Sequence, residues 1–286
     1  MSLRINFNSA SLSAQRALSR TQDDYARSAQ RISTGKRINS ANDDAAGLAV
    51  STKLKAQISG LNQAQKNVQD GINAIAIAEG ALSQMHALLS RMRELAVQSA
   101  TATVTDSDRA QANAEFTALS AEIDRLGTTT AYASIKLLDG NATAFVLQVG
   151  ANGADTMTVE FPNASVAGID TKIGSLNPAP AQPNLSTASI TDQTVANGAI
   201  ETLDGAIEVI SSYRASLGSM SNRLQMTSDN LSTAMENVSA ANSRIEDADI
   251  ASEMSELVRT QILQQAGIAI LSQANQAPQS VLKLLQ

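Results

Sequence analysis

From Asp43 to about Ala100 apolar residues recur at alternating steps of four and three, as at Leu54, Ile58 and Leu61, at Val68, Ile72 and Ile75, and at Leu82, Leu89 and Ala96. Gln65, Glu79, His86 and Arg93 complete the register. A strand or loop has no reason to hold such spacing; a helix in a coiled coil does. A second seam (Ala78, Ala81, Met85, Leu88, Met92, Leu95) runs one face over, so partners are needed on more than one side and a bundle is expected. At about 1.5 Å per residue the element would reach roughly 80 Å. Gly47, Gly60, Gly71 and Gly80 interrupt it, each at about 1 kcal/mol relative to Ala, so packing must keep it straight.

Composition supports a thin bundle. The 286 residues hold no Trp, three Tyr and four Phe, and small aliphatic side chains fill short interhelical distances. The net charge of −6 and the missing aromatic platforms argue against nucleic acid, and no apolar run is long enough to span a membrane. The absence of cysteine excludes disulfides and thiolate chemistry. Residues 1–10 show no apolar core and no cleavage pattern of a signal peptide.

The remaining elements follow the same logic. Residues 3–32 read as an amphipathic helix through Ile5, Leu12, Leu18, Tyr25 and Ile32. Residues 33–47 read as a loop, with Ser40 or Asn42 capping the long helix and Asp43 and Asp44 in its first turn. A third helix, capped by Asp106 or Ser107, carries Phe116, Leu119, Ile123 and Leu126 and closes at Gly127. The runs 143–149 and 155–161 flank Gly150-Ala-Asn-Gly153 as a hairpin, and 174–189 should be extended loop. A second long register (Leu203, Ile207, Ile210 through Leu231 to Ile245) matches the first and should lie beside it. The last segment is spaced at Ile250, Leu257, Gln264, Leu271 and Leu285, and at Met254, Gln261, Ile268 and Leu282. Residues 1–40 carry a balance of +5 and residues 244–286 one of −2, which makes the two ends natural partners. With helices at both ends and the hairpin between them, a hairpin-shaped molecule is expected, its termini at one tip.

Two stretches resemble a known family. Arg31-Ile-Ser-Thr-Gly-Lys-Arg-Ile-Asn-Ser-Ala-Asn-Asp-Asp-Ala-Ala-Gly-Leu-Ala-Val-Ser51 looks like the N-terminal signature of bacterial flagellin. Ile245-Glu-Asp-Ala-Asp-Ile-Ala-Ser-Glu-Met254, with Gln273-Ala-Asn-Gln276 and Val281-Leu-Lys-Leu-Leu285, resembles the C-terminal one. The match covers about 1–140 and 195–286, and fewer than seventy residues remain for the outer domains that many flagellins carry. The chain therefore resembles a minimal flagellin: mainly α, a long antiparallel helical bundle with a small β-hairpin region in the middle. The expected division is 1–40 with 246–286 as paired inner-tube helices, 41–127 with 196–245 as the long-helix bundle, and 128–195 as hairpin and loop at the outer surface.

The resemblance implies a self-assembling, extracellular filament subunit without cofactor, with neither nucleic acid nor membrane as partner. It implies export without a cleaved signal through the flagellar type III apparatus with an export chaperone, and dealings with flagellar cap and hook-junction proteins. Subunit contacts are expected at Leu18, Tyr25, Ile32, Lys36, Arg37, Asn39, Asp43, Leu257, Ile268, Leu271 and Leu282. The resemblance also places Arg91, Leu95 and Glu115 at positions that meet the vertebrate Toll-like flagellin receptor. Catalysis finds no support: His86 reads as a seam histidine, Asp43-Asp44 as helix caps, and Gly35-Lys36 lacks the first glycine of a phosphate loop. Two rivals stay open, a hook–filament junction protein sharing the end helices and a secreted coiled-coil adhesin.

Overall fold

A computed structural model describes residues 8–141, 145–176 and 184–284, with side chains as far as 276. The elements are α1 (Ser9–Thr34), α2 (Ala45–Ser99), α3 (Asp106–Thr129), β1 (Ala131–Tyr132), β2 (Ile135–Lys136), β3 (Phe145–Gln148), β4 (Thr156–Val159), α4 (Val166–Leu176), α5 (Gln193–Glu246) and α6 (Ile250–Leu284). Two compact units are formed, one from Met1–Ile58 with Glu236–Gln286 and the other from Ser59–Met235. The mainly helical fold class is the one read from the heptads.

In the 59–235 unit α2 and α5 run antiparallel, as the pairs Arg93–Asp204, Glu79–Arg214 and Gln65–Ser232 show. One row of α2 follows the expected register, and Leu61, Val68, Ile75, Leu82, Leu89 and Ala96 are buried. Its companion row is not the one that holds Gln65, Glu79, His86 and Arg93 but takes Ala78, Met85 and Met92 from the second expected seam. Ala64, Gly71, Ala78, Met85, Met92 and Ser99 are buried, whereas Gln65, Glu79 and His86 are half-buried and Arg93 is exposed. The steps are three-then-four where four-then-three was expected. The polar residues of the expected seam stand on its flank, where Gln65, Glu79 and Arg93 bond α5.

That shift explains two glycines. A Cβ at Gly71 would lie 2.3 Å from Leu147 Cδ1, and one at Gly60 would lie 3.0 Å from the Cβ of Ala151. The hairpin of β3 and β4, paired antiparallel from Phe145↔Val159 to Gln148↔Thr156, rests on α2 at these bare points. Leu147 and Val159 are buried, and the rings of Phe145 and Phe161 meet edge-on at 6.2 Å. The hairpin expected around Gly150–Gly153 is therefore present, except that Thr143 and Ala144 lie outside the described residues.

Three boundaries need correction. The N-cap of α2 is Asp44, whose Oδ1 accepts the Gly47 N–H at 2.8 Å; Asp43 instead closes the preceding turn by accepting from the backbone N–H groups of Asn39 and Ser40. The N-cap of α3 is Thr105, and α3 runs past Gly127 to Thr129. A Cβ at Gly127 would lie 2.8 Å from Ser165 Cα, so this glycine admits the start of α4 and does not end α3.

The helix α4 was not expected, since 174–176 were read as extended. Its signals are short: Ser165 Oγ accepts the Gly168 N–H at 3.2 Å, and Val166, Ile169 and Ile173 are buried at helical spacing. The small β1–β2 pair was also unanticipated. Residues 177–183 of the expected loop lie outside the described residues. Beyond them Asp170 accepts from the backbone N–H groups of Leu185 and Ser186, and Leu185 and Ile190 are buried. Apolar anchors thus hold residues 185–190 against the core.

In the other unit α1 and α6 lie side by side. Asn8 caps α1, and Gly35, at φ 70°, ends it. The partner row on α6 is Leu257, Thr260, Gln264, Gly267, Leu271 and Ala274, all buried or half-buried. The second row expected there (Met254, Gln261, Ile268) faces solvent. Small residues at 260, 267 and 274 let α1 approach closely; a Cβ at Gly267 would lie 3.3 Å from Leu18 Cδ1.

Candidate functional site

Two features of the unit built from both chain ends stand out: a buried carboxylate and an apolar face without a partner. The carboxylate is Glu246, the last residue of α5. Lys36 Nζ lies 2.8 Å from Oε1, Lys55 Nζ 2.6 Å from Oε1, and Ser51 Oγ donates to Oε2 at 2.7 Å. These partners hold Glu246 far below the usual carboxylate range, lowered from 4.5 to about 2, with the hydrogen bonds of Lys36, Lys55 and Ser51 outweighing the cost of burial. The same contact raises the ammonium pKa of Lys36.

Backbone bonds complete the clasp. Arg37 N donates to Glu246 O at 2.7 Å, Ala248 N to Gly35 O at 3.0 Å, and the Arg37 guanidinium to Ile245 O at 2.6 Å. Asn39 Nδ2 donates to Lys36 O, and Ile38 is buried. Asp43 sits below the ordinary carboxylate range because Ser40, through its backbone and hydroxyl, and then Asn39 donate to it. The polar groups of Lys36, Arg37, Asn39 and Asp43, expected to reach neighbouring subunits, are thus bonded within the chain. Glu246, Ser51 and Lys55 were missed. The only signal for them was a Glu at the end of a long register, and the lysines it meets lie about two hundred residues earlier.

The apolar face belongs to α6. Ile250, Met254, Val258, Ile262, Leu263, Ile268 and Ile270 are exposed, Ile262 at 59% and Ile268 at 58%. Of the expected contact residues, Leu18, Tyr25, Ile32, Leu257 and Leu271 are half-buried in the α1–α6 seam, and Ile268 lies on the open face. The side chain of Leu282 lies outside the described residues. Arg31 and Glu253 bond across the seam at 3.1 Å, and Ser11 and Asn275 at 2.8 Å. Seven large apolar side chains left exposed along one helix, with Ile250, Met254, Val258, Ile262 and Ile268 on one side of it, mark a surface that another chain covers.

In the 59–235 unit Arg91 and Glu115 are exposed and paired at 3.0 Å, and Arg91 also reaches Glu94. Leu95 does not stand with them. It is 3% exposed and belongs to the core beneath, which corrects its place as an accessible anchor. His86 is half-buried on the flank of the seam, and its Nδ1 has no protein partner. Among the described residues no cluster of His, Cys, Asp or Glu is arranged to hold a metal ion.

Comparison with known proteins agrees with both chain ends. Residues 5–143 match the bacterial flagellin N-terminal helical region and residues 200–285 the C-terminal helical region. The chain is 44% identical over 282 residues to a flagellin of Halalkalibacterium halodurans, and 39% identical over 287 residues to one of Listeria monocytogenes, covering 99% of both chains in each case. A putative flagellar hook-associated protein from Vibrio parahaemolyticus aligns with a TM-score of 0.57 at 16% identity, over 72% of this chain and 100% of that one, and so shares the fold. Matched at both ends and along its whole length, the chain belongs to the bacterial flagellin family in a minimal form.

Proposed function

We propose that this structural subunit of the flagellar filament polymerises by burying the outward face of α6, with the α1–α6 pair as the inner tube. The observation that carries the reading is the row from Ile250 to Ile270, which the α1 partner leaves in water. At about 25 cal/mol per Å2, covering such side chains contributes roughly 1.5–3 kcal/mol each in every subunit. The clasp at Glu246 holds the 33–47 segment, and that segment acts as the spoke from inner tube to outer layer. Family membership supports a structural role outside the cell. No described helix is long and apolar enough to cross a membrane.

Ile262→Asp and Ile268→Asp test this. Each places a charge on the open face without touching the α1 seam, so the monomer should keep its helicity while sedimentation and electron microscopy show no filaments. Normal polymers from both variants would move assembly to another surface.

Membership of the flagellin family supports export through the flagellar type III apparatus, assisted by a chaperone and completed under the cap. Secreted chain should carry its intact N-terminus, and a shortened secreted chain would point to a cleaved signal. The hook–filament junction reading gains no support, because the full-length relatives are flagellins.

Recognition by the vertebrate Toll-like flagellin receptor would use Arg91 and Glu115, with Leu95 supporting them from below. Arg frequently anchors such surfaces. Arg91→Ala should weaken monomer-induced signalling in receptor-bearing cells, whereas an unchanged dose response would remove this residue from the contact.

A further inference from the structure

We propose that Asn152 is a self-modifying site: the backbone nitrogen of Gly153 attacks the side-chain carboxamide carbon of Asn152, and the turn deamidates spontaneously. In the balanced step the Gly153 nitrogen loses its proton and bonds Asn152 Cγ, and the Cγ–Nδ2 bond breaks with release of ammonia. Water then opens the five-membered imide at either carbonyl, leaving aspartate or isoaspartate at 152. Asparagine and water are consumed, and no oxidant or cofactor is needed.

The chain contains two Asn-Gly pairs, and the fold treats them differently. Asn152 and Gly153 are both exposed at the tip of the β3–β4 hairpin. Among the described residues the Gly153 N–H, the nucleophile, donates to no protein acceptor. Its surroundings are open, since a Cβ there would meet nothing within 4 Å. The carboxamide is held only by the exposed Asp155, and the carbonyl of the same peptide unit, Asn152 O, accepts from Asp155 N at 3.1 Å and from Gln148 Nε2. Opening of these two bonds at the exposed tip lets the unit turn toward the carboxamide. The second pair, Asn197-Gly198, lies inside α5, where the Gly198 N–H belongs to the i to i−4 ladder and helical dihedrals keep it from the side chain.

The product should loosen the tip. Asn152 Nδ2 donates to Asp155 Oδ2 at 3.0 Å, and a carboxylate in its place sets like charges side by side. An isoaspartate also lengthens the backbone inside a connection closed by Val149 N to Asp155 O at 2.8 Å. Ala151, which rests on Gly60 of α2, lies in the same turn.

The experiment incubates the folded full chain in mildly alkaline buffer and follows both sites by peptide mass spectrometry with isoaspartate detection. Residue 152 is expected to convert to aspartate and isoaspartate while residue 197 of the same molecules stays asparagine. Gly153→Ala, which the open space accommodates, should block conversion at 152. The inference is overturned if 152 stays asparagine in the folded chain while it converts in urea, or if 197 keeps pace with 152. It is also overturned if Gly153→Ala converts as fast as the parent. Should that variant fail to fold, the comparison of 152 with 197 in the parent decides alone.

Discussion

In dilute, unpolymerised protein, amide protection along α1 and α6 is expected to be far below that of α2 and α5, and limited proteolysis should remove both ends. The reason is burial. No apolar side chain of α1 or of the described part of α6 is fully buried; Ser28 and Thr260 are the buried residues there. Ordering each residue costs about 1–2 kcal/mol, and a helix pair that covers only one side of itself recovers little of that. By contrast Leu82, Met85, Leu89, Met92 and Phe116 are fully enclosed. Assembly would supply the missing burial by mass action. The trimmed product, roughly 45–240, should stay folded and fail to polymerise. Strong protection at Leu18 and Leu271 in a monomer, or filaments from the trimmed product, would refute this.

Glu246→Gln should weaken the clasp by about 2–3 kcal/mol at neutral pH and flatten its acid dependence. The sign follows from the lowered pKa. With the folded value at about 2 and the ordinary value at 4.5, the contribution is complete above 4.5 and fades as pH falls toward 2. Lys36 and Lys55 are half exposed and rehydrate when the charge is lost, which keeps the cost below that of a fully buried pair. Exchange of the Arg37 and Ala248 amides, which bond across the clasp, reports the change directly. If the variant and the parent show the same acid profile at those two amides, Glu246 is not the controlling group.

Where a residue's environment follows from its own periodicity, it was legible. Leu61, Val68, Ile75, Leu82 and Leu89 are core because helical spacing puts them in one row. Gly71 was misread as an interruption, since only the distant Leu147 reveals why a side chain is excluded there. Gly127 looked like a helix stop because the demand on it comes from Ser165. Leu95 illustrates the same limit in reverse, being an apolar residue that the resemblance placed at a receptor contact and the packing buries. The open face of α6 was half legible: Met254 and Ile268 were recognised as a seam, but which seam the partner takes depends on Thr260 and Gly267. The clasp was the least legible feature, because its groups lie at opposite ends of the chain.

That last separation bears on the order of events in folding. The unit of residues 59–235 is one continuous stretch, whereas the other is stitched from segments with all of that stretch between them. Closing so long a loop from a free chain is entropically costly, and non-local pairings of this kind are slow. Once the inner stretch has folded, the loop to be closed is shorter in effect, and Lys36 meets Asp247 at little further entropic cost. The clasp is then expected to close after the inner stretch has folded, so that the middle of the chain sets its geometry before the segments around Lys36 and Glu246 set theirs.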